Sequence, residues 1–366
     1  MDIFKLLAIA KSNNASDLHL SVDSLPLIRV DGRLKHIDNS DFLTITDLEV
    51  AFMQVTTMEK LEKFQKDLEL DFQYTLPDGT CLRCSAAQER GKLSLAFRIL
   101  PVTIPTIDEL WLPDIYKKLS QLERGLIVIS GPTGSGKTTT QAAIIQYINE
   151  NQTRHIISFE DPIEYCHHNI NSKIIQRELG EDTISFVQAL KHALRHDPDV
   201  IVIGEMRDSE TAAAVISMAE TGHLVISTSH APSAAHAVER IVDLFPYNER
   251  CMVQMRLASL LNAVLCQTLV PRSNGSGRIA AVEIMLVNTA IKNLIREGKL
   301  TLIADAIRDY GQGCNTTLDE SLCKLFRKGI ISMETVQRYC HDPDEINRLT
   351  SNLFTRYELS LQPLIQ

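Results

Sequence analysis

Short apolar runs separated by helical patterns dominate the middle of the chain. Four of these runs are hydrophobic at nearly every position rather than at every second one, which indicates strands buried on both faces of a parallel sheet. The runs are residues 125–130, 154–160, 199–205 and 223–228, and the predicted helices between them are 137–150, 185–195 and 209–221. The pattern therefore predicts a doubly wound α/β core, which binds ligands at the carboxyl ends of its strands.

Different patterns flank this core on both sides. Residues 1–100 predict a small mixed α/β domain, with an opening helix at 2–13, helical spacing over 46–67, and hairpins between strand-like runs. Residues 101–118 contain three prolines and predict a linker. Residues 286–366 predict a largely helical region in which glycines mark helix ends. The core itself is assigned to residues 119–285.

Composition narrows the class of protein. Hydrophobic residues make up 44% of the 366 residues, which is enough for a buried core of ordinary size. The net charge of −9 argues against a surface built to bind nucleic acid. No apolar stretch reaches the roughly 18 residues of a spanning helix, so we expect any membrane contact to be peripheral.

The eight cysteines indicate no metal framework. Only Cys81 and Cys84 form a CxxC pair, whereas a zinc ribbon needs a second such pair. The pair also lies in a strand-like run, where residues three apart point to opposite faces. We therefore expect reduced, mostly buried cysteines in a reducing compartment.

A phosphate-binding loop follows the first buried run. The stretch GPTGSGKT matches GxxxxGK[ST] and stands between a strand and a helix, as the motif requires. Its glycines let backbone N–H groups converge on phosphates, and the helix N-terminus adds a positive dipole end. Lys137 is expected to reach the β- and γ-phosphates, and Thr138 to hold Mg²⁺. The predicted nucleotide-binding residues of this loop are Gly131, Pro132, Thr133, Gly134, Ser135, Gly136, Lys137, Thr138 and Thr139.

Acidic residues stand where the next two strands end. Glu160 and Glu164 follow the second run, and Glu205 follows the third. Nucleotide hydrolysis needs a carboxylate that orients and deprotonates water, and further acids that hold Mg²⁺ through its waters. We therefore expect catalytic roles for Glu164 and Glu205, and a Mg²⁺ site formed by Thr138, Glu160 and Glu205.

Two histidines flank the fourth run. His223 opens it and His230 follows its end. A histidine beside the terminal phosphate can donate a hydrogen bond and respond to the state of the nucleotide. Both are therefore candidates for the nucleotide site.

An arginine often neutralises the charge on the transferred phosphoryl group, and a neighbouring subunit can supply it. The candidates are Arg83, Arg90 and Arg98 in the first 100 residues, and Arg195 and Arg207 in the core. Spacing alone does not choose among them.

Four motifs stand in order along the chain: GPTGSGKTTT, SFEDPIEY, LRHDPDVIVIGEMRD and AETGHLVISTSHAPSA. Together they resemble the ATPases of type II and type IV secretion systems and pilus motors, and among these the ATPases that retract type IV pili. The resemblance covers nearly the whole chain, since ASDLHL with IRVDGRL resembles the family's N-terminal domain and AIKNLIREGKL resembles a motif of retraction ATPases. It implies a PAS-like α+β domain, a RecA-like P-loop ATPase core and a helical C-terminal region.

The resemblance also implies roles for single residues. Glu164 would be the general base, Glu205 the Walker B acid, and His223 and His230 the His box. Arg83 and Arg98 match arginines that reach the nucleotide of the neighbouring subunit. Catalytic roles thus fall on Lys137, Glu164, Glu205, His230, Arg83 and Arg98, with His223 at the nucleotide.

At the level of the cell, the resemblance implies a homohexamer that binds ATP and Mg²⁺ at the cytoplasmic face of the inner membrane. Its partners would be a membrane platform protein and, indirectly, pilin, but not nucleic acid. We expect an ATP-hydrolysing hexameric motor that powers pilus retraction and twitching motility. Three alternatives stay open: a related ATPase of a type IV secretion apparatus, a nucleotide-binding regulator of a pilus motor, and a nucleic-acid translocase, which the acidic charge disfavours.

Overall fold

A computed structural model describes residues 2–30, 32–101, 103–275, 277–309 and 315–350 of the chain. Their contacts divide the chain into two compact units. The first comprises Met1–Thr103 together with Glu164–Cys166, and the second comprises Ile104–Ile163 and the described residues from His167 onward. The domain boundaries expected at residues 100, 118 and 285 stay predictions.

The first unit is built on an antiparallel sheet with the strand order β3-β2-β1-β6-β5-β4. Leu18, Leu20, Leu82 and Phe97 point from its strands into a core that α1 and α2 help to cover. The elements are α1 (Ile3–Ser12), β1 (Asp17–Ser21), β2 (Leu27–Val30), β3 (Arg33–His36), α2 (Ile45–Val55), α3 (Met58–Asp67), β4 (Glu69–Thr75), β5 (Cys81–Glu89) and β6 (Lys92–Ile99).

The helical spacing over 46–67 corresponds to two helices, α2 and α3, with a break between them. Thr56 and Thr57 between them both adopt extended backbone angles. The Thr57 side chain accepts a hydrogen bond from the Lys60 N–H and thereby caps α3. Two adjacent β-branched residues favour this break over an uninterrupted helix.

The second unit contains a seven-stranded sheet with the order β13-β12-β7-β11-β10-β8-β9. Among the strands that the structure describes in this sheet, only β13 runs antiparallel to its neighbour, and apolar clusters cover both faces of the sheet. The four apolar runs form β7, β8, β10 and β11, which confirms the predicted α/β core. The strands are β7 (Gly125–Ser130), β8 (His155–Glu160), β9 (Lys173–Glu178), β10 (Val200–Ile203), β11 (Leu224–Ser229), β12 (Leu261–Pro271) and β13 (Arg278–Leu286).

Helices surround this sheet. Within the stretch expected to be a linker, α4 forms, and Ile107, Leu112 and Tyr116 are buried in one of the clusters that cover the sheet. The described part of residues 286–350 is mainly helical, and the helices Leu318–Arg327 and Met333–Tyr339 pack around Val270 and Ile279. The helices are α4 (Ile115–Leu119), α5 (Lys137–Asn151), α6 (Phe186–Ala193), α7 (Ser209–Glu220), α8 (Ala234–Asp243), α9 (Tyr247–Leu260), α10 (Thr289–Arg296), α11 (Ile303–Asp309), α12 (Leu318–Arg327) and α13 (Met333–Tyr339).

Cys81 and Cys166 form a disulfide in the first unit. The expectation that all cysteines are reduced was therefore wrong, although the pattern of the strand was interpreted correctly. Cys84, three residues after Cys81, points into the core as alternation along β5 requires. Cys314 lies outside the described residues. Among the helices that the structure describes, none combines the length and the hydropathy needed to cross a membrane.

Candidate functional site

The predicted phosphate-binding loop stands at the carboxyl end of β7. Gly131 follows the strand directly and has a φ of 141°, a backbone conformation that favours glycine. A Cβ atom at this position would lie 2.3 Å from the Gln267 carbonyl oxygen and 2.6 Å from Ser135 Oγ. The loop therefore curls tightly enough that a side chain at Gly131 would displace it.

A buried amide on β12 holds the loop in this shape. Gln267 Nε2 donates to the Ser135 carbonyl oxygen at 2.7 Å, and Gln267 Oε1 accepts from Thr140 Oγ1 at 3.0 Å. Ser130 Oγ donates to the Ala231 carbonyl oxygen at 2.9 Å and accepts from the Ala231 N–H at 3.0 Å. The strand before the loop, the loop and the start of α5 are thus fixed to β12 and to the segment that follows β11. Gln267 was not among the residues predicted from the sequence, although an amide within the apolar run AVLCQTLV is a visible signal.

The N-terminus of α5 is suited to bind phosphate. Gly136 at its N-cap has a φ of 86°, and no side chain of the described residues caps this end of the helix. The N–H groups of the first turn have no partner within a helix, and they carry the positive end of its dipole. Ser135 Oγ is buried and has no hydrogen-bond partner among the described residues. Converging backbone donors and an unpaired hydroxyl fit a phosphate group.

Lys137 and His230 meet at this loop. Lys137 Nζ donates to the carbonyl oxygens of Gly131 at 2.8 Å and Pro132 at 3.0 Å, and it lies 3.3 Å from His230 Nδ1. An ammonium group can only donate, so Nδ1 is the accepting nitrogen and the proton of a neutral ring is on Nε2. His230 Nε2 lies 3.2 Å from Glu205 Oε1, which it can reach with that proton. The three side chains form one polar chain from the loop to the end of β10.

Arg207 extends this chain to the end of β8. Its Nε donates to Glu205 Oε2 at 2.9 Å, and its Nη1 lies 3.2 Å from Asp161 Oδ2. The hydrogen bond and charge of Glu205 raise the pKa of the Arg207 guanidinium. The sequence placed Arg207 among five candidate arginines, and the structure brings it to the acidic strand ends.

Glu160 stands at the same edge of the sheet because β8 pairs in parallel with β10. Its carboxylate is buried, and Oε1 accepts from Ser158 Oγ at 2.7 Å and from Gln176 Nε2 at 3.0 Å. The Gly204 N–H donates to the Phe159 carbonyl oxygen at 2.8 Å, which places Glu160 beside the Gly204–Glu205 turn. Its role as a Mg²⁺ ligand stays a prediction.

The structure does not bring His223 to the phosphate-binding loop of its own chain. Leu224 pairs with Gly125 and Ser229 with Ser130, so His223 lies where β11 begins, whereas the loop follows the opposite end of β7. Five residues of strand span about 16 Å. His223 Nδ1 lies 3.0 Å from Thr221 Oγ1 and 3.2 Å from the Met218 carbonyl oxygen. We therefore correct its expected contact with the nucleotide of the same chain.

Three further predicted catalytic residues belong to the first unit: Glu164, Arg83 and Arg98. Arg83 and Arg98 are direct partners in the register of β5 and β6, so they lie side by side on one face of the sheet. Arg98 Nε donates to Asp17 Oδ1 at 2.8 Å. Burial raises the pKa of Asp17, but the bonds from Arg98 and Ser16 outweigh it and leave this pKa below its ordinary value. The catalytic roles of all three residues stay predictions.

Known proteins resemble this chain over most of its length. Residues 109–338 match the family model described as type II/IV secretion system protein. The chain is 41% identical to the type IV pilus retraction ATPase PilT of Pseudomonas aeruginosa over 94% of its own length and 99% of that protein. It is 41% identical to a twitching motility protein of Neisseria gonorrhoeae over 88% of its own length and 86% of that protein.

A solved structure matches almost the whole fold. It is the crystal structure of the pilus retraction motor PilT with bound ADP, at a TM-score of 0.88 and 39% identity, covering 95% of this chain and 99% of that one. The matched stretch is more than half of the chain, and it includes the loop, the acidic strand ends and His230. The chain therefore belongs to the type II/IV secretion system protein family, and it is a nucleotide-binding ATPase.

Proposed function

We propose that this ATPase is the hexameric motor that powers retraction of type IV pili. One observation carries the proposal: the chain is 41% identical to the PilT retraction ATPase across nearly the full length of both proteins. The site supports it, because Lys137, His230 and Glu205 join the phosphate-binding loop to an acidic strand end.

Binding of ATP would change the partners of Lys137. The backbone N–H groups at the start of α5 receive the phosphates, and the Lys137 ammonium group exchanges the Gly131 and Pro132 carbonyl oxygens for phosphate oxygens. The position of the ammonium group decides whether the contact between Lys137 and His230 is kept. Because His230 Nε2 contacts Glu205, a shift of the His230 ring also changes its contact with the Glu205 carboxylate.

Glu164 is proposed as the general base. The oxygen of an attacking water forms a bond to the γ-phosphorus while the bond to the β–γ bridging oxygen breaks, and the water proton goes to the Glu164 carboxylate. Arg207 neutralises Glu205 and Asp161 and keeps the two strand ends at a fixed distance. This leaves Glu205 oriented toward the loop.

Mg²⁺ fits the hard oxygen donors at the site. The Thr138 hydroxyl and the Glu205 and Glu160 carboxylates would hold it, in part through water. When bound, the ion neutralises charge on the β- and γ-phosphate oxygens. Glu160 Oε1 accepts hydrogen bonds from Ser158 and Gln176, so we place its contribution to the Mg²⁺ site in contacts made through water.

In the proposed homohexamer, Arg83 and Arg98 supply positive charge to the nucleotide of the neighbouring protomer. Their side-by-side position on β5 and β6 lets one exposed face of that sheet present both. We further propose that the ring works at the cytoplasmic face of the inner membrane. There, turnover moves a platform protein and so, indirectly, withdraws pilin.

Deletion of the gene in its own host tests the function. We expect hyperpiliated cells that do not twitch, restored by the wild-type chain but not by Lys137→Ala. Lys191→Ala, which changes an exposed lysine of α6, is the matched control and should restore motility. Normal pili and normal motility in the deletion strain would contradict the proposal, and blocked substrate secretion with normal pili would favour the secretion-apparatus alternative. A wild-type chain that binds ATP without turnover would favour the regulator.

A further inference from the structure

The disulfide joins two segments to which the proposed function assigns catalytic residues. Cys81 opens β5, two residues before Arg83, and Cys166 follows Glu164 by two residues. The two cysteines are 85 residues apart in sequence, and their Cα atoms are 6.7 Å apart. A bond at this place fixes the segment that carries Glu164.

The segment Glu164–Cys166 is short and held on both sides. The Ile163 N–H donates to Glu178 Oε2 at 2.9 Å, and the His167 N–H donates to Gln176 Oε1 at 2.8 Å, so both flanking residues are fastened to β9. The three residues between them group with the first unit, where Cys166 is bonded to Cys81. Little chain is available to let Glu164 move while this bond is intact.

Four of the five other cysteines of the described chain are poor competitors for thiol exchange, whereas Cys251 is exposed. Burial raises the pKa of the Cys84 thiol to about 12, and burial also raises the pKa values of Cys266, Cys323 and Cys340. A thiol attacks only as the thiolate, so these groups react slowly. Cys81 and Cys166 are both partly exposed, which gives a small thiol access to their bond.

We propose that Cys81 and Cys166 are a reversible redox-modification site that controls ATP turnover. In the oxidised chain the disulfide holds the Glu164 segment against β5, and in the reduced chain Glu164 is released to orient the attacking water. The inference rests on the proposed role of Glu164 as general base. Disulfides in reducing compartments are usually transient and redox-sensing, which fits this role.

The reaction needs a thiol–disulfide couple as co-reactant, such as glutathione and glutathione disulfide. One glutathione thiolate attacks a sulfur of the Cys81–Cys166 bond and forms a mixed disulfide, and the other protein sulfur leaves as a thiolate that takes a proton. A second glutathione thiolate then attacks the mixed disulfide and releases glutathione disulfide. Two electrons enter the protein, and two thiols result.

The test uses the purified full chain in glutathione buffers of graded ratio. Peptide mapping measures the Cys81–Cys166 linkage, and steady-state ATP hydrolysis is measured in parallel. We expect turnover to fall about tenfold as the linkage forms, because misplacing a catalytic group slows the chemical step. Cys81→Ser and Cys166→Ser should keep the reduced rate in every buffer, while Cys251→Ser, which changes an exposed free thiol, should switch like the wild type.

Two results would overturn the proposal: full linkage with unchanged turnover, or no linkage at any glutathione ratio. Glu164→Gln in reducing buffer separates this outcome from failure of the proposed base. If Glu164→Gln hydrolyses ATP slowly and the turnover of the wild type does not change with the disulfide, the switch alone is overturned. A Glu164→Gln variant with the wild-type rate overturns both the base and the switch that depends on it.

Discussion

At the scale of single residues, His230 is the side chain that connects the nucleotide to the acidic strand ends. It lies 3.3 Å from the Lys137 ammonium through Nδ1 and 3.2 Å from the Glu205 carboxylate through Nε2. Because the two ring nitrogens have different partners, a change at one is transmitted to the other. Loss of the ring should therefore impair the chemical step more than nucleotide binding.

The first prediction concerns His230→Ala. We expect ATP turnover to fall about 100-fold, which is typical for the loss of a positioned proton donor, while ADP affinity changes by less than about tenfold. Steady-state hydrolysis and calorimetric ADP binding measure the two effects. His236→Ala is the control, because His236 is exposed and contacts Ser233 at the start of α8 rather than the loop. A wild-type turnover in His230→Ala would contradict the prediction.

The second prediction concerns pH and His167. Burial, together with the charge of His168, lowers the pKa of this histidine to about 4. In the unfolded chain the pKa is about 6.5, so between these values the unfolded state binds more protons. The stabilising contribution is therefore complete above pH 6.5 and is lost as the pH falls toward 4.

Urea unfolding between pH 4.5 and 7.5 measures this effect. The free energy of unfolding of the wild type should fall with acidification more steeply than that of His167→Phe, because the phenyl ring cannot be protonated. The reduced protein is used, so that the neighbouring disulfide does not contribute. Equal slopes in the two proteins would contradict the assignment.

Single residues were predictable where the chemistry demands a local motif. The loop from Gly131 to Thr138 could be assigned because its glycines, lysine and hydroxyl follow one another in sequence. The link from Arg207 to Asp161 could not, because it joins residues 46 positions apart through the order of the strands. His223 was misplaced for the same reason: its motif gives proximity in sequence, but a strand carries its two ends to opposite edges of the sheet.

At the scale of elements, continuous apolar runs predicted β7, β8, β10 and β11 because these strands are buried on both faces. β9 is an outer strand and mixes apolar with charged residues, which hides it from this criterion. β12 was missed although it is largely buried, and it carries the buried amide of Gln267. A strand without a motif, β12, thus supplies part of the support of the loop.

The hydrogen bonds of Gln267 should stabilise the phosphate-binding loop and its binding of nucleotide. Gln267→Met keeps the volume but removes the bonds to Ser135 and Thr140. We expect the free energy of unfolding to fall by about 1–3 kcal/mol, since the Ser135 carbonyl and Thr140 hydroxyl lose their buried partners. We also expect weaker ADP binding. Chemical unfolding and calorimetry measure both, with Thr268→Val on the same strand as the control; unchanged ADP affinity in Gln267→Met would contradict the role.

At the scale of the whole molecule, the change of hydrophobic pattern near residue 100 separates two kinds of sheet, and the structure contains one antiparallel and one mainly parallel sheet. The grouping of Glu164–Cys166 with the first unit could not be predicted. The grouped segment includes Cys166, whose disulfide partner Cys81 lies 85 positions away, and connectivity of cysteines cannot be deduced from spacing. The proposed ring adds contacts that a single chain does not contain.

The fourth prediction tests the ring through the arginines. Arg83→Ala and Lys137→Ala should each lose ATP turnover when assayed alone. Arg83→Ala lacks the positive charge for the nucleotide of the neighbouring protomer, and Lys137→Ala lacks the ammonium group that binds the phosphates. In an equal mixture, about a quarter of random interfaces join an intact Arg83 to an intact Lys137, so activity should return to about a quarter of the wild-type rate. Arg90→Ala, at the exposed turn of β5 and β6, should stay active alone. A mixture as inactive as its components would contradict supply of Arg83 by a neighbour.

The central claim is that the carboxylate at the end of β10 acts on a triphosphate held by the loop after β7. Its most direct measurement is ATP hydrolysis with Mg²⁺ by purified Glu205→Gln, accompanied by ADP binding to the same preparation. The account predicts binding within a few-fold of the wild type and turnover reduced about 100-fold or more, because the amide keeps the shape but loses the charge. Hydrolysis by Glu205→Gln at the wild-type rate would contradict the account.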